Sequence, residues 1–124
     1  MKTHPLPFRP ARAWAALALA AVTWPSAGQD LEAGLKAVEA LAAVNGRALA
    51  CQDVQAMRRA KALMLAHAPK TIRFGSLYEE RTNESYLAMT RQPSTCPDAN
   101  GWREQLDAVA RQLQEALPVA APAR

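Results

Sequence analysis

These 124 residues are half apolar and about one-fifth charged, enough for a single small domain and not for two. The net charge of +4 overstates how basic that domain is. Three of the fifteen bases, Lys2, Arg9 and Arg12, lie in the first twelve residues, and the remaining twelve bases face eleven acids, a net of +1 that excludes charge-driven binding to nucleic acid or an anionic membrane.

Residues 1–28 have the three parts of an export signal. The bases just named form a positive n-region, Ala13 to Trp24 is a continuous apolar run, and Pro25-Ser26-Ala27-Gly28 supplies small residues for a peptidase cutting after Gly28. The apolar run is about a dozen residues, short of the roughly 20 that span a bilayer. It therefore reads as a cleaved leader, with no membrane span in the mature form. No cysteine follows the cut, so no lipid anchor is indicated. Abundant Ala and Arg suggest a bacterial source and hence a periplasmic destination.

Helical periodicity dominates residues 29–117. Asp30 is the expected N-cap of a first helix reaching Val44, with Leu31, Leu35, Val38 and Leu41 as its apolar stripe and Asn45-Gly46 as its stop. A second helix starts between Arg47 and Asp53. It carries Val54, Met57, Ala60, Leu63, Met64 and Ala66 inward and ends before Pro69, which removes a donor and bars helical geometry from the preceding residue. Lys70 to Gly75 reads as a connector. Ser76 and Glu79 have the spacing of a capping box at the start of a third helix that runs to about Thr90 and buries Tyr78, Thr82, Tyr86 and Met89. A loop over Gln92–Asp98 leads to the strongest pattern, a fourth helix with Trp102, Leu106, Val109, Leu113 and Leu117 on one face. Residues 118–124 read as a disordered tail.

The expected fold is all-α, a four-helix bundle running up-down-up-down. Short connectors favour antiparallel neighbours, so the second and fourth helices begin at one end. Cys51 and Cys96 sit at those two beginnings, and an oxidising compartment makes them a disulfide.

Candidate chemistry is sparse. Met57, Met64 and His67 share one side of the second helix and offer thioether and imidazole ligands that suit Cu(I), although methionine more commonly fills cores and histidine complements a helix C-terminus. Lys70 and Arg73 precede Ser76, where bases beside free helix amides can hold an anion. Glu79, Glu80 and Glu84 lack the histidine partners of a di-iron site and read as a solvated face. His67 is the one histidine beyond the leader, and no nucleophile motif, phosphate loop or dinucleotide fingerprint is present. No cofactor is expected. The role expected by elimination is non-catalytic, binding or accompanying another envelope protein. The rivals are a copper-handling protein using Met57, Met64 and His67, and a periplasmic chaperone that exposes its helix faces under stress.

Overall fold

The computed structural model describes residues 2–5, 7, 16–22 and 27–119. Among them are four α-helices and no strand: α1 (Ala27–Ala50), α2 (Val54–His67), α3 (Ile72–Arg91) and α4 (Ala99–Ala116). The bundle is closed by a Cys51–Cys96 disulfide with its Cα atoms 5.8 Å apart. No helix among the described residues is long and apolar enough to cross a membrane. Of the leader, Arg9, Arg12, Trp24, Pro25 and Ser26 lie outside the described residues, as do residues 120–124 of the tail.

α1 departs most from its sequence reading. It begins at Ala27, so Asp30 lies inside its first turn, and the cut expected after Gly28 would fall in that turn too. It passes straight through Asn45-Gly46 and ends at Ala50. The stop is a Schellman-type turn at Gln52, the one non-glycine residue with positive φ (55°) among those described. The amide of Asp53 donates to the carbonyl of Ala48 at 2.9 Å, and that of Gln52 donates to Leu49 at 3.1 Å, so carbonyls freed at the helix end are satisfied.

Gly46 has another use. It is buried where α3 crosses, and an added Cβ would lie 2.6 Å from Cβ of Ser85 and 2.8 Å from the Tyr86 nitrogen, and would run into the Thr82 carbonyl. The missing side chain lets two backbones meet. Polar bonds line the same contact: Ser85 Oγ donates to the Ala43 carbonyl at 2.7 Å, Asn45 Nδ2 donates to Thr82 Oγ1 at 3.2 Å, and Arg81 pairs with Glu39 at 3.4 Å. Partners advance together, from Gly34 beside Phe74 to Gly46 beside Tyr86, so α1 and α3 run parallel.

α2 and α4 run the other way. Cys51 and Cys96 join their beginnings, and at their far ends His67 Nδ1 donates to the Leu117 carbonyl at 2.7 Å. The up-down-up-down direction therefore holds, but the neighbours do not follow chain order. α1 is the hub, packed against α2, α3 and α4, and α2 also meets α4. Among the described residues α3 packs on α1 alone. A helix surrounded in this way must be apolar over most of its girth. Ala37, Val38, Leu41, Ala42, Val44 and Ala48 of α1 are accordingly buried, whereas Phe74 is the one buried residue of α3.

The caps position the remaining elements. Asp53 Oδ1 accepts from the Ala56 amide at 2.9 Å and Asp98 Oδ1 from the Gly101 amide at 2.8 Å. α2 stops before Pro69 as expected. α3 starts five residues earlier than the Ser76 capping box implies: Thr71 is its N-cap, accepting from the Phe74 amide at 3.4 Å, and Ser76 and Glu79 lie within the helix. The early start sets Phe74 against Gly34 of α1, burying an aromatic side chain that a connector would have left in water. Tyr78, Thr82, Tyr86 and Met89 are half-buried, and Val54, Ala66 and Leu31 of the expected stripes are exposed. On α4, Trp102, Leu106, Val109 and Leu113 are all buried, and Leu117 packs partly against them.

Candidate functional site

The disulfide end of the bundle carries two clefts. Beside the Cys51–Cys96 clasp, the first turns of parallel α2 and α4 leave a groove of about 390 Å³ between them. Its floor is the buried face of Ala56, Trp102 and Leu106; its rim is Asp53, Gln55, Arg59 and Arg103. The volume falls within the range of sites that hold a small ligand or a few side chains of a partner. Trp102 is 4% exposed and belongs to the protein's own core, so it backs the groove rather than offering free surface, and the accessible rim is charged and polar.

The rim charges differ in availability. Arg59 is fixed by an ion pair with Asp107 across the α2–α4 contact. The hydrogen bond from Arg59 holds the Asp107 carboxyl below the ordinary carboxylate range, partly opposed by desolvation and helped by the positive field of Arg59, Arg111 and Arg103. Arg103 is exposed, and none of the ion pairs among the described residues involves it. Asp53 is engaged as the α2 cap. The guanidinium left at the rim is that of Arg103, which makes the rim suited to a carboxylate.

The second cleft, about 260 Å³, lies where the last turns of α1 and α3 meet the Gln92–Ser94 loop. Arg47, Ser85, Met89, Gln92 and Ser94 line it.

None of the candidate ligand residues Met57, Met64, His67, Lys70, Arg73 and Ser76 lines either cleft, whereas Trp102, Leu106 and Met89, expected only as packing residues, do. Met57 and Met64 are half-buried with their side chains against the apolar core, and His67 is tied through Nδ1 to the end of α4. Lys70, Arg73 and Ser76 are exposed at the opposite end. Thr71, and not Ser76, caps the helix there, so Ser76 is no longer beside the free amides that the anion reading required. Glu84 pairs with Arg81 at 2.7 Å, and Glu79 and Glu80 face solvent. The periodicity placed Trp102 on the inward face of the fourth helix, and Arg103, the next residue, is exposed. The groove that joins them to Arg59 arises only when α2 and α4 lie side by side. No family model matches this chain, and comparison with curated proteins and with solved structures finds no match.

Proposed function

We propose that the chain is an exported, non-catalytic accessory protein that binds another envelope protein, and that it does so through the groove between α2 and α4. The observation that carries this reading is a groove at a disulfide-pinned end of the molecule whose exposed rim holds Arg103, an arginine in none of the ion pairs among the described residues. Arginine is among the residue types that dominate the energetics of protein contacts, particularly when a rigid support spares the ordering cost on binding. The clasp supplies that support, since it holds the two helix starts that frame the groove. The disulfide, the leader-like residues 1–28 and the absence of a spanning helix among the described residues are compatible with export.

Site-specific photocrosslinking in the source cell tests it. A photoreactive residue in place of Gln55 or Ala99, which line the groove and leave Arg103 intact, is expected to yield one discrete adduct in the envelope, and the same residue in place of Glu80 on α3 none. Equal adducts at all three positions, or none at the groove, would reject the binding face. Recovery of an unprocessed chain with free thiols from the cytosol would reject the compartment.

A further inference from the structure

Arg47 reaches from the last turn of α1 into the second cleft. Its guanidinium is half-buried and donates from Nη2 to Oε1 of Gln105 at 2.7 Å. That acceptor is neutral. None of the ion pairs among the described residues includes Arg47, so the cation is drawn partly out of water with no carboxylate against it. Burial lowers its pKa, as it does for a cation whose surroundings offer no compensating charge. Taking a charge out of water is unfavourable unless a partner meets it.

A cation at a helix C-terminus has a simple explanation in the helix dipole. The dipole explains why a base stands in the last turn of α1. It does not explain the surroundings, where every other side chain lining the cleft is neutral. Ser94 spends its hydroxyl on the thioether of Met89 at 3.2 Å, a weak acceptor that a carboxylate would readily displace. The side chain of Gln92 makes no hydrogen bond to the described residues although it lines the same space. Ala88 and Met89 form an apolar wall beside these groups. Arginine presents its N–H groups as a planar fork that matches the two oxygens of a carboxylate.

We propose that this cleft binds a carboxylate borne on a short apolar stem, with Arg47 holding the oxygens, Ser94 and Gln92 completing the shell and Met89 contacting the methylenes. The stem fits both a free short-chain acid and a glutamate side chain of a protein; the groove between α2 and α4 is not required for either.

The test is a titration of the isotope-labelled full chain at constant ionic strength, reading the Arg47 Nε–H and the Gln92 side-chain amide by NMR. The probes are sodium propionate, an acetylated and amidated Gly-Glu-Gly peptide, and inorganic phosphate. Saturable shifts with propionate or the peptide are expected, and whichever binds more tightly identifies the source of the carboxylate. Arg47→Gln is expected to weaken binding roughly tenfold or more, as removal of a charge-assisted bidentate pair does. Because Arg47 also bonds Gln105, Ser94→Ala serves as the second variant: its weak bond to sulfur contributes little to folding, and its loss should weaken binding about three-fold. Shifts that only follow ionic strength, saturation by phosphate alone, or binding unchanged in both variants would overturn the proposal.

Discussion

Gly46 of α1 and Thr82 of α3 meet backbone to backbone, with no room at Gly46 for a Cβ beside the Thr82 carbonyl. Their contact lets α3 lie on α1 without a thick apolar seam, and it explains why a glycine stands inside a long helix, one residue before its last turn. Glycine there disfavours the helix by about 1 kcal/mol relative to alanine. Close packing offsets that cost.

Gly46→Ala should therefore destabilise the protein although alanine is the better helix former. The strain of inserting a methyl group against backbone is about 1–3 kcal/mol. Gly75→Ala is the matched control, since nothing lies within 4 Å of the Cβ it would add. That substitution should stabilise by about 0.5–1 kcal/mol. Urea midpoints of the two variants should move in opposite directions. Equal shifts would show that the α1–α3 crossing is looser than described.

Gln52 holds a left-handed conformation that favours glycine. Gln52→Gly should relieve that strain and raise stability by up to about 1 kcal/mol, reduced by the greater freedom of glycine in the unfolded chain. A fall in the denaturation midpoint would indicate that the Gln52 side chain makes a contact worth more than the strain.

The Cys51–Cys96 bond joins residues 45 apart in sequence. Loop-closure entropy assigns such a crosslink about 4 kcal/mol. The Cys51→Ser/Cys96→Ser double variant should lose a large part of that, and reductant should lower the midpoint of the parent chain but not of the variant. If reduction leaves the parent unchanged, the denatured chain must already be compact around this pair.

Tyr78 packs against the core, and burial pushes its hydroxyl up to about 12 from an ordinary value of 10.0. The folded state thus keeps a proton that the unfolded state releases first. The contribution is fully present below about pH 10 and is lost as the pH rises toward 12. Midpoints measured at pH 9 and pH 11 should fall more steeply for the parent than for Tyr78→Phe, which has no proton to release. Parallel falls would mean that the hydroxyl is solvated in the folded state.

Much of the architecture is local in origin and was legible. Pro69 ends α2 because proline cannot continue the backbone bonds, Asp98 caps α4 because its carboxylate meets a free amide, and the Trp102 to Leu113 stripe fixes the face that α4 buries. The alternating helix directions follow from short connectors, and with them the proximity of Cys51 and Cys96. Two local signals misled. Asn45-Gly46 resembles a helix stop, yet the missing Cβ serves a helix crossing, and the turn was made by Gln52. Ser76 and Glu79 have the spacing of a capping box, yet Thr71 caps a helix that starts early enough to bury Phe74.

By itself, then, the sequence determined four helices, the stop before Pro69, the inward face of α4 and the covalent clasp, because these depend on residues within a turn or two of one another and on two cysteines with no other partners. Only the tertiary structure decided that α1 is the hub, that among the described residues α3 packs on it alone, and that Trp102 meets Arg59 and Arg103 while Arg47 faces Ser94 across a cleft. Those juxtapositions depend on how closely two helix surfaces can approach, which is a property of both surfaces together and is written in neither periodicity alone.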